Sequence, residues 1–168
     1  MIRAVLRAHD TLTEWGTLLG AAALGAIALG YIFEVTSRYF FNSPTTWASD
    51  LSAYMLCVGT FLLVPRLART HSHIAIEFLQ ESLGPRSRRL SRLFVYCISF
   101  LVCLIGAWIS LNENFRQFDR GLMTLAANPI PKWWISVFIT YGFASTALYF
   151  LRHLVSQAMG RGPEQQVG

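Results

Sequence analysis

Three stretches of the 168-residue chain carry no formally charged residue over about the length of a membrane-spanning helix. Residues 15–33 and 133–151 each give nineteen such positions, and residues 93–112 give twenty. A helix rises about 1.5 Å per residue, so roughly 20 residues cross a hydrocarbon core of about 30 Å. Charged residues make up 14% of the chain, against about 25% in soluble domains. The chain is therefore predicted to lie in a lipid bilayer.

A fourth span is predicted between the first two of these stretches. The uncharged run at 51–65 has only fifteen residues, but extending it to 47–67 places Asp50 in the first turn and Arg66 in the last. Both charges can then lie at the membrane interfaces, with the Arg66 side chain extending toward water. The predicted fold is all-α, a single membrane domain at 1–159 with four transmembrane helices at about 15–35, 47–67, 93–112 and 133–151, followed by a polar, disordered tail at 160–168.

The basic residues are divided unequally between the two sides of this predicted domain. Ten of the fourteen Lys and Arg residues fall in the N-terminal segment, the connection between the second and third helices, and the C-terminal tail. Four fall in the other two connections. Because connections rich in Lys and Arg remain in the cytoplasm, both termini are predicted to be cytoplasmic.

The long connection between the second and third helices contains a segment with helical periodicity. Ile76, Leu79 and Leu83 fall at i, i+3 and i+7, whereas Glu77 and Glu81 lie on another face. A short amphipathic helix at about 73–83, lying in the membrane interface, is therefore predicted. A plain helical connector with the usual excess of positive charge explains the same residues equally well.

The first predicted helix carries small residues at helical spacing. Gly16 and Gly20 form a GxxxG pair, and a small-xxx-small row continues at Ala22, Ala26 and Gly30. Small residues let two membrane helices approach closely, so this face is a candidate for contact with another helix. The alternative is that Ala and Gly are simply frequent in membrane helices.

Glu34 and Arg38 lie four residues apart at the end of the same helix, with the acidic residue first. This order favours a helical ion pair. The pair is interpreted as an anchor at the membrane interface. Its importance would increase if a second subunit shielded it from water, since losing one partner would leave a charge unpaired.

The sequence offers little to an enzyme, a metal site or a cofactor. The three clear spans have no ionisable residue near mid-membrane, where a self-sufficient substrate pathway needs one. The four histidines lie in segments predicted to be cytoplasmic or just outside a helix end, and the three cysteines have no CxxC spacing. No catalytic, cofactor-binding or metal-binding residue is predicted. A single Lys, with the Arg residues clustered at a few points, also argues against nucleic-acid binding.

A set of residues between positions 34 and 80, with a weaker set at 128–134, forms a pattern in its order and spacing. These residues are Arg38 to Asn42, Trp47, Asp50-Leu51, Arg66, His73-Ile74, Ile130-Pro131 and Trp133. In this pattern the chain resembles the small membrane subunit, of the DctQ type, of the tripartite ATP-independent periplasmic (TRAP) transporters. The chain length, the four predicted spans and the predicted cytoplasmic termini agree with that family.

The resemblance implies a non-enzymatic scaffold in the bacterial inner membrane. Its partners would be a large multi-pass membrane subunit, which carries an organic anion inward with sodium, and a periplasmic protein that captures the anion. One position departs from the family pattern. The family commonly has two acidic residues after the Trp, but Ser49 occupies the first of these positions and Asp50 the second. A role that needs a pair of carboxylates there is therefore in doubt.

Three other functions compete with this one. A haem- or quinone-binding membrane anchor of an oxidoreductase would need imidazoles inside the spans. A small autonomous exporter working as a homodimer would need a membrane-embedded acid, for which Glu34 is the only candidate. The small subunit of citrate-type tripartite carriers also has four helices, but the pattern from Arg38 to His73 favours the TRAP family.

Overall fold

The fold was analysed in a computed structural model of the chain, and the part of the chain that it describes is all-helical. Apart from helices, this part contains turns, bends and one isolated bridge between Met123 and Pro131. All four helices are long and apolar enough to cross a membrane, which confirms the predicted all-α fold with four spans. The structure describes residues 2–43, 45–70, 85–126 and 129–158.

The helices extend beyond the spans predicted from charge. The first has 39 residues and the third has 35, so at about 1.5 Å per residue they are roughly 58 and 52 Å long. Charged residues mark where a helix leaves the hydrocarbon, but they do not interrupt its backbone hydrogen bonds. The bounds are α1 at Ile2–Phe40, α2 at Ala48–Thr70, α3 at Pro85–Asp119 and α4 at Lys132–Ala158.

A glycine ends α3. The Gly121 N–H donates to the Phe118 carbonyl at 3.1 Å, and the Leu122 N–H donates to the Gln117 carbonyl at 3.1 Å. These two bonds form a Schellman motif, which requires a left-handed residue at the position of Gly121. Its φ of 57° meets that requirement without the steric cost that a side chain would bring.

Residues of the connection between α1 and α2 cap the end of α1 and the start of α2. Asn42 adopts a left-handed φ of 49°, and the Ser43 N–H donates to the Ser37 carbonyl at 3.3 Å. The Trp47 carbonyl accepts the first hydrogen bond of α2, from the Leu51 N–H at 3.0 Å. Trp47 is therefore the N-cap residue of α2, which agrees with the predicted start of this span at residue 47.

The extensive helix contacts run from α1 to α2, from α2 to α4, and from α4 to α3. Two glycines make the close approaches around α2. A Cβ built on Gly20 would lie 3.0 Å from the Gly59 carbonyl oxygen, and one on Gly142 would lie 2.7 Å from the Phe61 carbonyl oxygen. The central helices α2 and α4 each bury 28% of their apolar stretch, against 17% for α1 and 6% for α3. The helices therefore form a row with α1 and α3 at its two edges.

The structure does not test the other predictions about organisation. The predicted interfacial helix at 73–83 and the predicted tail at 160–168 lie outside the described residues. The cytoplasmic orientation of the termini and the single-domain boundary at 159 stay predictions.

Candidate functional site

The small residues predicted on α1 fall on two different faces. Gly16 and Gly20 are buried against α2, where Leu62 is the neighbour that both share. Ala22 and Ala26 are exposed. Since each residue turns a helix by 100°, the buried face passes through Ala23 instead. A Cβ on Gly30 would meet nothing within 4 Å.

Glu34 and Arg38 form the ion pair that their spacing predicts. The Arg38 guanidinium donates to the Glu34 carboxylate, and Glu34 is 8% exposed. Next to Glu34 in the sequence, Phe33 contacts Trp47, and the centroids of the two rings lie 6.2 Å apart. The ion pair thus lies within α1, whereas the ring contact joins the end of α1 to the start of α2.

The candidates on α2 lie near its two ends. Asp50 is half-buried in the first turn, where the helix dipole favours a carboxylate. Arg66 is exposed near the last turn, and its carbonyl accepts a hydrogen bond from the Thr70 hydroxyl at 2.9 Å. His73 lies outside the described residues.

Pro131 and Trp133 hold the start of α4 against the end of α3. The Lys132 N–H donates to the Leu122 carbonyl at 3.0 Å, directly after Pro131. The Trp133 ring lies edge-on to Phe118, with 5.6 Å between the ring centroids. This arrangement fixes where the chain re-enters the membrane.

A charged cluster joins α1 to α4. The Asp10 carboxylate accepts a hydrogen bond from Arg152 Nη1 at 2.6 Å, and the Tyr149 hydroxyl lies 3.0 Å from Asp10 Oδ1. The same hydroxyl is 3.0 Å from the Thr13 hydroxyl. We call the six residues His9, Asp10, Thr13, Ser145, Tyr149 and Arg152 the α1–α4 cluster.

The α1–α4 cluster is shielded from solvent at its centre. Thr13 is 1% exposed and Tyr149 is 3% exposed. His9 Nε2 and Ser145 Oγ share a hydrogen bond at 2.8 Å on one side. On the other side the Arg152 guanidinium lies 5.1 Å from the centre of the Tyr149 ring. Hydrogen bonds that involve a charged group contribute about 1.5–3 kcal/mol each, roughly twice the neutral value.

A neutral cluster joins α3 to α4 nearer the start of α4. Asn114 Nδ2 donates to the Thr140 hydroxyl at 2.5 Å and to the Ser136 carbonyl at 3.1 Å. Ser110 Oγ lies 2.7 Å from Thr140 Oγ1, and the Ser136 hydroxyl donates to Gln117 Oε1 at 2.8 Å. We call Ser110, Asn114, Gln117, Ser136 and Thr140 the α3–α4 cluster.

Sequence reasoning missed both clusters. Asp10 and Arg152 fall outside the uncharged runs that define the spans, and neutral polar residues inside the runs are not distinguished from apolar ones. A usable signal was present in the α3–α4 cluster. Ser110, Asn114 and Gln117 fall at i, i+4 and i+7, and Ser136 and Thr140 fall at i and i+4, so each set forms a polar stripe on an apolar helix.

The described side chains form interhelical contacts and no arrangement suited to chemistry on a bound molecule. Within the described ranges no three His, Cys, Asp or Glu residues lie close enough to hold a metal ion. His9 contacts Ser145, and the His153 ring stacks on Tyr96 with 5.5 Å between the centroids. The polar groups mainly bind one another, which suits helix assembly.

Large apolar side chains cover the outward faces of the two edge helices. Leu29 and Ile32 on α1, and Phe94, Trp108 and Phe115 on α3, are each more than half exposed. In a bilayer these faces must contact lipid or another membrane protein, since water disfavours them. The edges of the row are therefore the candidate interaction surfaces.

Comparison with known proteins gives the family context of this arrangement. A family model described as "Tripartite ATP-independent periplasmic transporters, DctQ component" matches residues 27–160. The chain is 26% identical over 127 residues to the sialic acid TRAP transporter permease protein SiaT of Haemophilus influenzae, strain 86-028NP, covering 75% of this chain and 20% of that protein.

Two small permease proteins are also similar. The C4-dicarboxylate TRAP transporter small permease protein DctQ of Vibrio cholerae is 32% identical over 106 residues, covering 59% of this chain and 43% of that protein. A putative TRAP transporter small permease protein of Haemophilus influenzae, strain Rd, is 22% identical over 143 residues, covering 80% and 89%. The chain thus spans about a fifth of the first relative and less than half of the second.

Proposed function

The chain belongs to the DctQ component family of the TRAP transporters, and we propose that it is the small membrane subunit that scaffolds a large multi-pass subunit in the bacterial inner membrane. The family is a transporter permease component and not an enzyme. In the proposed complex, the large subunit moves an organic anion inward with sodium after a periplasmic binding protein delivers it.

The location of the ionisable groups carries this proposal. The uncharged runs at 15–33, 93–112 and 133–151 leave no Asp, Glu, Lys, Arg or His in the middle of α1, α3 or α4. The described ion pairs lie toward helix ends, as Asp10 with Arg152 and Glu34 with Arg38 illustrate. A subunit with its own substrate pathway would need such groups near mid-membrane. A supporting role beside another transport subunit fits their absence there.

The exposed side of α1 that carries Ala22 and Ala26 is the proposed contact for the large subunit. Both residues are exposed in the chain alone, and small residues permit close approach of a second helix. Gly30 follows them on the same row, with open space beside it. The Glu34–Arg38 pair at the end of that row would gain importance if the large subunit covered it.

The connections on the opposite side from the termini are the proposed contact for the periplasmic protein. Arg38 near the end of α1, Arg116 near the end of α3 and Arg120 in the α3–α4 connection lie at this side, and all three are exposed. Trp47 and Trp133 would anchor this side in the interface, as aromatic residues do at membrane boundaries. Charge reversal at the three arginines should weaken docking of the periplasmic protein, measured by its affinity for the reconstituted complex. Unchanged affinity would exclude this contact.

An organic anion is the proposed substrate class. The names of two relatives refer to sialic acid and C4-dicarboxylate, which are both carboxylated molecules. In this proposal, substrate choice belongs to the other two subunits.

Co-purification from native membranes tests the scaffold role. With a C-terminal tag on this chain, a much larger multi-pass protein should co-purify from detergent at about one to one. Recovery of this chain alone and self-associated would support an autonomous exporter instead. A haem absorbance band in the purified protein would support an oxidoreductase anchor.

A matched pair of variants locates the contact. Ala22→Leu with Ala26→Leu should reduce co-purification of the large protein, because the added side chains would block close helix approach. Ala21→Leu with Ala28→Leu is the control, since these alanines are also exposed but lie on the other side of α1. Equal effects of both pairs would exclude the assigned face.

A further inference from the structure

α1 and α4 do not pack extensively on each other. Both pack on α2, which lies between them, and α4 also packs on α3. On one side, Gly20 of α1 approaches the Gly59 carbonyl, and on the other, Gly142 of α4 approaches the Phe61 carbonyl. Apolar packing therefore joins α1 to α4 mainly through a third helix.

Direct contact between α1 and α4 is concentrated at one end of each helix. His9, Asp10 and Thr13 lie within about one turn of α1, and they meet Tyr149 and Arg152 near the end of α4. The Arg152 guanidinium also lies 3.4 Å from the Leu6 carbonyl oxygen, which extends the contact by a further turn. These contacts are hydrogen bonds, apart from the ring contact of His9 with Tyr149 at 4.7 Å between centroids, and Asp10 with Arg152 supplies opposite charges.

The opposite half of α1 stands free of α4. The Gly16 position is near the α4 side chain Tyr141, whose hydroxyl lies 3.8 Å from a Cβ built there. Further along α1, a Cβ on Gly25 or Gly30 would meet nothing within 4 Å. Leu29, between those two glycines, is 69% exposed. These positions on the half of α1 away from the cluster are therefore not covered by another described helix.

We propose that the α1–α4 cluster is a clamp that pins one end of α1 to α4 and thereby sets how far the free half of α1 stands from α4. A helix fixed at one end by directional hydrogen bonds keeps its rotation and register. Without them, the described contacts of α1 run mainly to α2, and α1 can tilt relative to α4. The clamp thus controls the orientation of the exposed face of α1, whatever that face contacts.

Pulsed electron paramagnetic resonance on the full chain in lipid nanodiscs measures this orientation. Spin labels at Leu29→Cys on α1 and Val137→Cys on α4 would occupy exposed positions. The background would replace the three free cysteines by alanine. The intact clamp should give one narrow distance distribution. Asp10→Arg or Arg152→Asp should broaden it, and the two substitutions together, which exchange the charges, should narrow it again.

The Glu14 and Arg69 pair provides a matched control. It also joins α1 to a neighbouring helix, at 3.3 Å, but its side chains are 57% and 38% exposed. Glu14→Gln should leave the distance distribution unchanged. An unchanged distance distribution in the Asp10→Arg and Arg152→Asp single variants would overturn the proposal. A double variant that is produced in the membrane but whose distance distribution stays broad would also overturn it.

If the charge variants cannot be produced in the membrane, a milder variant tests the proposed clamp. Tyr149→Phe keeps the ring but removes the hydroxyl that lies 3.0 Å from both Asp10 and Thr13. It should broaden the distribution less than a charge variant would. A distribution as narrow as that of the unchanged protein would overturn the clamp.

Discussion

Each of the two polar clusters joins α4 to another helix, but only one of the two helix pairs also packs extensively. Toward its start, α4 meets α3 through neutral amides and hydroxyls, and the two helices also pack extensively. Toward its end, α4 meets α1 through an aspartate and an arginine, and these two helices do not pack extensively on each other. The difference teaches that charge-assisted bonds are used where close helix packing is missing. Neutral bonds suffice where packing already holds the helices.

The hydrogen bonds of the two clusters are expected to contribute different amounts to the unfolding free energy. Neutral hydrogen bonds between membrane helices average about 0.6 kcal/mol in double-mutant cycles. Hydrogen bonds to charged groups contribute about 1.5–3 kcal/mol. The α1–α4 cluster should therefore be the more sensitive of the two, per side chain removed.

The largest effect is expected where α4 crosses α2, between the two clusters. Gly142→Ala would place a Cβ 2.7 Å from the Phe61 carbonyl oxygen, so the backbones must separate. The expected loss is about 3 kcal/mol of unfolding free energy, at the upper end of overpacking costs. Unfolding of the purified chain by sodium dodecyl sulfate in mixed micelles would measure it.

Gly30→Ala is the matched control for that substitution. A Cβ there meets nothing within 4 Å, and alanine favours a helix over glycine by up to about 1 kcal/mol. Gly30→Ala should therefore leave the unfolding free energy unchanged or raise it. A loss equal to that of Gly142→Ala would mean that crowding at α2 is not the cause.

The second largest loss of unfolding free energy is expected when Arg152, the arginine of the clamp, is removed. Arg152→Ala leaves the Asp10 carboxylate without its 2.6 Å donor. We expect a loss of about 2 kcal/mol, because both side chains are only partly shielded from water. The same unfolding assay measures it, and Arg152→Lys should recover part of the loss. Full stability in Arg152→Ala would remove the contrast between the two clusters.

The number of helices could be predicted from the sequence, whereas their ends could be predicted only in part. A helix that crosses the hydrocarbon core needs a run of uncharged residues, so the four spans were predicted and are confirmed. The start of α2 agrees with the prediction, since Trp47 precedes the helix and accepts its first hydrogen bond. The start of α1 does not agree, because nothing near residue 15 interrupts the helix, which begins at Ile2.

The clusters differed in how far they could be predicted. His9 and Ser145 are separated by 136 residues, and pairing them requires the order of helices in the row, which the sequence does not state. The polar stripe of Ser110, Asn114 and Gln117 was visible, but its partner helix was not. The burial of Gly16 and Gly20 was consistent with the small-residue pattern, while the exposure of Ala22 depended on how α1 is rotated.

A smaller loss is expected in the α3–α4 cluster. Asn114→Ala removes the donor to Thr140 and Ser136, but it also removes a buried amide oxygen that has no partner. We expect a loss of about 1 kcal/mol, because packing between α3 and α4 remains. Asn112→Ala is the control in the same unfolding assay. Asn112 is exposed and donates only to the Trp108 carbonyl of its own helix, so it should lose less.

The smallest loss of unfolding free energy is expected for Glu14→Gln. It tests whether the α1–α4 cluster is strong because it is charged or because it is buried. Glu14→Gln breaks an ion pair between α1 and Arg69 of α2 whose side chains are 57% and 38% exposed. Exposed pairs contribute about 0.2–1 kcal/mol and are weakened by salt. We expect a loss of about 0.3 kcal/mol that disappears at high ionic strength, whereas the loss in Arg152→Ala should persist there. If both losses fell equally with salt, the clamp would owe its strength to charge alone, and its shielding by Thr13 and Tyr149 would be irrelevant.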